Sequence, residues 1–157
     1  MKILVLSDSH GAAETLAEIV EQSEADMILH LGDHAHDCAI IRTRFPQIML
    51  RTVKGNCDRL DRELDIDEFV VEGKRIVMTH GHLFGVKSGL DRVLYFAESR
   101  EADILLFGHT HNRYDSGDTF GDIRLINPGS AGTGKKTFAT LEIQRGEVIC
   151  NFRQLEK

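Results

Sequence analysis

The sequence predicts an α/β fold: two β-sheets packed face to face, with helices on the outside. Two patterns predict it. In the first half, short apolar runs alternate with amphipathic stretches, as β-α-β units around a parallel sheet require. In the second half, apolar runs follow one another across Gly-rich turns, as in an antiparallel meander. The 157 residues hold no internal repeat, low-complexity tract or linker, so one domain spanning residues 1–157 is expected.

Lys2–Ser7 (KILVLS) is apolar and ends in a polar loop, which reads as a buried parallel strand. Ala12, Leu16, Ile19 and Val20 fall on one face of a helix, with Glu14, Glu18 and Glu21 on its solvated side. Met27–Leu31 is a second strand, stopped by Gly32-Asp33. A weaker helix is expected from Asp37 to Arg44, then a third strand over Ile48–Val53, stopped by Gly55-Asn56. Glu68–Val71 and Arg75–Thr79 flank Glu72-Gly73-Lys74 as a hairpin. Ser88 with Asp91 resembles a capping box, and Leu90, Val93, Leu94 and Ala97 stripe the helix behind it. Ile104–Phe107 is another buried strand. Arg113–Thr119, Ile123–Asn127, Thr137–Gln144 and Val148–Phe152 complete the expected meander.

Composition narrows the function. Apolar residues make up 41% and charged residues 28%, with 14 Gly and 2 Pro, which excludes disordered, collagen-like and coiled-coil classes. A net charge of −6 argues against holding long nucleic acid by bulk phosphate neutralisation. Any phosphate must meet a local positive centre. Cys38, Cys57 and Cys150 form no Cys-x-x-Cys pair, so neither a disulfide framework nor a zinc knuckle is implied, and a reducing cytoplasm fits. The four-residue run Ile3–Leu6 is too short for a secretory signal, and no membrane span is expected.

All eight histidines (residues 10, 30, 34, 36, 80, 82, 109 and 111) lie in or just after the C-terminal end of an expected strand. That edge is where ligands bind in open α/β sheets. Asp8, Asp33, Asn56 and Asp58 stand at equivalent ends. Residues i and i+2 of a sharply turned segment point to one side, so Asp8 with His10, and His109 with His111, can each present two ligands to one point. Imidazole and carboxylate together suit Mn, Fe, Zn or Ni. The five strand-end segments, residues 8–10, 32–34, 55–58, 79–82 and 108–111, hold more ligands than one tetrahedral ion needs and fit two ions sharing a carboxylate.

The order D-x-H, G-D, G-N-x-[DE], x-H-G-H, G-H-x-H resembles the calcineurin-like metallophosphoesterase superfamily, and the Gly-Asn-Cys-Asp form its small YfcE-like phosphodiesterase branch. The resemblance runs from Asp8 to Asn127-Pro128-Gly129-Ser130. It implies a four-layered αββα sandwich and two divalent transition-metal ions, manganese foremost, with Ni, Fe or Zn as alternatives. One ion would take Asp8, His10, Asp33 and His111, and the other Asp33, Asn56, His80 and His109. It further implies catalytic roles for His80, Asn56 and Asp58, and substrate contacts from His10, Asn56, Cys57 and His82. Two divalent ions less two carboxylates leave +2, or +1 with a bridging hydroxide, which a phosphodiester monoanion would complete. Cys57 stands where many members of the superfamily carry a His that protonates the leaving group. A thiol is the poorer acid near neutral pH.

The expected activity is therefore a metal-dependent hydrolase of small phosphodiesters, cytoplasmic, with a homo-oligomer left open. A phosphomonoesterase is one alternative. The other is a protein-interaction scaffold similar to the retromer subunit of this fold. The completeness of the ligand set favours the enzyme. Of the remaining histidines, His30 reads as a hydrogen-bonded core residue, His82 as a pocket residue, His34 as a pocket edge and His36 as solvent-facing. Asp58, His82–Phe84 and Arg113 are the expected pocket walls.

Overall fold

The computed structural model describes residues 1–59 and 62–156. The chain runs β1 (Lys2–Leu6), α1 (Ala13–Ser23), β2 (Met27–His30), a 3-10 turn (Ala35–Cys38), α2 (Ala39–Arg44), β3 (Met49–Thr52), β4 (Ile66–Val71) and β5 (Lys74–Thr79). A second 3-10 turn (His82–Phe84) leads to α3 (Asp91–Ser99), β6 (Ile104–Leu106), β7 (Arg113–Asp115), β8 (Arg124–Pro128), β9 (Thr137–Gln144) and β10 (Glu147–Gln154).

Two five-stranded sheets form, in the orders β10-β9-β1-β2-β3 and β4-β5-β6-β8-β7. In the first, β1, β2 and β3 are parallel. In the second, β5, β6 and β8 are parallel. Each strand's alternation explains the layering. Ile3 and Val5 of β1, Met27 and Leu29 of β2, Ile76 and Met78 of β5, and Ile104 and Leu106 of β6 meet in the core between the sheets. The opposite faces bury Leu4, Leu6 and Ile28 against Leu16, Ile19 and Val20 of α1 and Ile41 of α2. On the far side, Val77, Leu105 and Leu125 pack on Val93 and Ala97 of α3. The result is the four-layered αββα sandwich. Each fully buried Ile or Leu contributes about 1.5–3 kcal/mol of transfer free energy.

The hairpin at Glu72-Gly73 forms, with φ of 47° and 80° at its two turn residues. The meander does not. The last four strands divide between the sheets, because the segment between β8 and β9 crosses over: β8 lies parallel to β6, while β9 pairs with β1. The capping box is absent as well. Leu90 is the N-cap of α3, with no side-chain cap bond. The expected helix from Asp37 begins as a 3-10 turn and becomes α-helical only at Ala39. No helix among the described residues is long and apolar enough to cross a membrane.

Candidate metal centre

The C-terminal ends of β1, β2 and β3 in one sheet and of β5 and β6 in the other converge on one place. There the backbone leaves regular structure abruptly. Asp8, His10, Asp33, His34, His109 and His111 all hold positive φ, between 46° and 70°. Such conformations cost non-glycine residues free energy and persist where surrounding contacts over-determine them.

The contacts that hold them are specific. Asp58 is buried, and its carboxylate accepts the N–H groups of Asp33 (2.8 Å), Ala35 (3.1 Å) and Gly55 (2.8 Å), locking the loop after β2 to the loop after β3. Asp8 Oδ2 accepts the Ser7 hydroxyl at 2.5 Å and the His109 N–H at 3.1 Å, and the Ser130 hydroxyl donates to the Asp8 carbonyl at 2.8 Å. Asn127 donates to Gly108 O and Thr110 Oγ1 (both 3.0 Å) and accepts from Gly129 N–H. A Cβ at Gly55 would collide with Asp33 Oδ1, and one at Gly108 with Ser7 Oγ. Both positions need glycine for close approach. The bracing roles of Ser7, Asn127 and Ser130 lie outside the sequence reading. Their only signal was a polar residue at a strand end.

Three overlapping ligand groups result, one of them His10, Asp33 and Cys57, which joins the other two. Donor atoms of Asp8, His10 and His111 lie within 4.8 Å of one another, as do those of Asp33, His80 and His109. His10 Nε2 is 3.6 Å from Asp8 Oδ1 and 3.7 Å from Asp33 Oδ2, so Asp33 faces both groups. The two carboxylates thus stand within reach of one set of imidazoles. His109 and His111 separate into different groups rather than sharing one. Both residues are left-handed, so the i, i+2 alternation of extended chain does not hold between them.

The electrostatics of this arrangement call for a cation. Asp8 Oδ1 is buried with no hydrogen-bond partner among the described residues, yet Nε2 of His111, His10 and His80 stand 3.1, 3.6 and 3.8 Å away. The Leu31 carbonyl can only accept, so His80 Nδ1 carries the proton of that 2.8 Å bond. Nε2 then turns a lone pair toward Asp33 Oδ2 (3.4 Å) and His109 Nδ1 (3.2 Å). Lone pairs facing lone pairs in a buried site repel unless protons or metal ions lie between them. The same crowding shifts the pKa values of these groups. Burial opposes a charged His80, but the Asp33 and Asp8 carboxylates push its pKa above the ordinary value. Burial, with His80 and Lys87 nearby, pushes His109 down to about 4. Against the cost of burial, a hydrogen bond from His80 once its Nε2 is also protonated, and one from the Cys57 N–H, hold Asp33 below the usual carboxylate range. The donor set of imidazole and carboxylate fits divalent transition ions.

The other expected residues fall as follows. Asn56 and Cys57 are exposed at the rim, with Asn56 Nδ2 3.6 Å from Cys57 Sγ and the Cys57 N–H on Asp33 Oδ1 at 3.0 Å. The His82 ring lies 5.4 Å from that of His80. His30 is a buried core residue. Its Nδ1 accepts the Gly32 N–H at 3.2 Å, which leaves Nε2–H to donate to Ser9 Oγ at 3.1 Å. The His36 side chain is exposed. Beside His111, a cavity of about 310 Å³ is walled by Arg113, Ser130, Thr133 and Lys135. Phe84 instead lines a groove with Tyr95 and Phe96 on α3.

Known proteins share this frame. A family model described as the calcineurin-like phosphoesterase superfamily domain matches residues 1–146. The probable metallophosphoesterase YsnB of Bacillus subtilis is 38% identical over 133 residues, which are 83% of this chain and 75% of the relative. Phosphodiesterase YfcE of Escherichia coli K12 is 29% identical over 159 aligned residues, 86% and 82% of the two chains. A predicted phosphoesterase from Streptococcus pneumoniae superposes with a TM-score of 0.83 at 28% identity, over 98% of this chain and 88% of that one. The zinc complex of Entamoeba histolytica Vps29 shares the fold, with a TM-score of 0.75 at 21% identity over 98% and 99%. Motif order, the αββα layers and the match over residues 1–146 agree, and the chain belongs to the calcineurin-like phosphoesterase superfamily.

Proposed function

We propose that the protein is a phosphodiesterase of small substrates that works with two divalent transition-metal ions, manganese foremost. Asp8, His10, Asp33 and His111 would hold one ion, and Asp33, Asn56, His80 and His109 the other. The observation that carries this reading is the unpartnered, buried Asp8 Oδ1 ringed by three imidazole nitrogens. When bound, paired ions supply Lewis acidity and a water acid enough to serve as hydroxide near neutral pH.

The chain's own residues do the rest. The Leu31 carbonyl fixes the tautomer and the angle of His80. Asp58, whose oxygens are taken by backbone N–H groups, positions Asp33 and the Asn56 loop rather than touching substrate. His10, Asn56, Cys57 and His82 would contact the phosphate. Arg113 and Lys135, in the cavity beside His111, supply positive charge for an anionic substituent in a chain of net charge −6. With so little bulk positive charge, small esters are favoured over long nucleic acid.

Metal analysis and a substrate panel test the proposal together. The purified protein is expected to hold about two transition ions per chain and to lose activity to chelators. Asp33→Asn should cost more activity and more metal than Asp8→Asn, since only Asp33 faces both groups. Full activity in chelator sinks the metal reading. Equal, mild losses in the two variants sink the shared carboxylate. A panel of bis-aryl phosphate, aryl monophosphates, cyclic nucleotides and short oligonucleotides separates diesterase from monoesterase. No turnover of any of them by the metal-loaded protein would leave the scaffold reading.

A further inference from the structure

The 3-10 turn that follows Asp33 carries histidines for which the proposed pair of ions has no use. We propose that His34, His36 and Asp37 form a third metal site, of the zinc(II) class, on the rim of the centre. Each of the three side chains offers one donor atom, and these atoms lie within 4.8 Å of one another. The backbone brings them together. His34 is left-handed (φ 62°), and the Asp37 N–H closes onto the His34 carbonyl at 2.9 Å. Residues 34, 36 and 37 thereby share a single tight turn.

The three donors are unequal in a way that suits an exchangeable ion. Asp37 is buried and fixed: its Oδ2 accepts the Gly11 N–H at 2.8 Å, and its Oδ1 stands 3.6 Å from His36 Nε2. That gap is too long for a hydrogen bond. His34 Nδ1 is buried with no hydrogen-bond partner among the described residues, a state that costs free energy unless a ligand relieves it. The His36 ring lies 5.2 Å from the His34 ring and is exposed, free to swing onto an ion. Two imidazoles and one carboxylate make the donor set of open zinc sites, with positions left for water or an anion. Ordering the exposed His36 opposes binding, so this site should fill after the buried pair. The His34 and His10 rings are 5.3 Å apart, and the third site therefore borders the first two without sharing a ligand with them.

The test uses intact protein loaded with zinc, dialysed against a series of free zinc concentrations and analysed for metal. The parent is expected to reach one more zinc per chain than His36→Ala at equal free zinc. The result is a difference, so it does not depend on how many ions the Asp8–Asp33 centre holds. Repeating it in an Asp33→Asn background keeps failure of that centre distinguishable from failure of this site. Zinc titration of the unsubstituted protein, followed by NMR of its imidazole protons, should move the His34 and His36 rings together and saturably. Equal zinc content in parent and His36→Ala, or rings that stay unmoved across the titration, overturns the proposal.

Discussion

Cys57 is one residue on which the proposed chemistry turns. Its thiol sits at the rim, pushed above its ordinary pKa first by burial and then by the Asp33 carboxylate. In the proposed mechanism it would be a weak proton donor to the leaving oxygen. An aryl oxide leaves without much help, whereas an alkoxide needs a proton. Cys57→His should raise turnover of alkyl or nucleotide diesters more than that of nitrophenyl diesters, by about 1–3 kcal/mol in barrier. Metal content must stay constant for the comparison to count, because Asn56 is adjacent. Equal effects on both substrate classes would remove Cys57 from the acid position. His30 makes a different test. Burial pushes its pKa down to about 4, so the unfolded chain binds the proton more tightly. Its contribution is complete above the unfolded value of about 6.5 and is lost as pH falls from there toward 4, roughly 3 kcal/mol in all. Denaturant melts of parent and His30→Gln across that window should show the steeper loss in the parent. Parallel curves would mean that His30 does not titrate on unfolding.

At the scale of elements, Asp58 joins the loops after β2 and β3 through three buried N–H bonds. Asp58→Ala strands those donors, at about 1–3 kcal/mol each. A denaturant midpoint well below that of the parent is expected, with Asp58→Asn intermediate because one acceptor oxygen remains. Unchanged melts would show that water replaces the carboxylate. The elements themselves were legible to different degrees. Strands β1, β2, β5 and β6 read clearly from their apolar runs, because both faces are buried. The split of the last four strands did not, since local pattern carries no information on which sheet a strand joins. Ser88 and Asp91 matched a capping box by spacing, yet the helix starts without side-chain caps. The histidines at strand ends were legible as a set. The separation of His109 from His111 was not, because φ of 70° and 60° is imposed by bonds such as Asp8 Oδ2 to His109 N–H that no local rule encodes.

At the scale of the molecule, the site joins the two sheets. Asp8, His10 and Asp33 come from one sheet, and His80, His109 and His111 from the other. Ions bound across that seam stabilise the folded chain alone, by about 2.7 kcal/mol at a hundredfold excess over Kd. Chelation should therefore lower Tm by about 5–10 °C, and Asp33→Asn should abolish most of the difference. A Tm indifferent to chelator would mean that the seam holds without metal.

The place of β1 between β2 and β9 has a consequence in time. Ile3 pairs with Leu141, and the Asp8 carbonyl accepts the Ser130 hydroxyl and the Gly132 N–H. Translation delivers Asp8 and His10 first, but their partners on the far side of β1 emerge more than a hundred residues later. Until then the strand that carries them has an open edge and an unpaired carboxylate. A chain not yet synthesised past Gly132 holds the order of the motifs but not the bracing of Asp8, so the proposed ions would enter late in synthesis or after it. Early exposure of that edge is what a growing chain, or the chaperone beside it, has to manage.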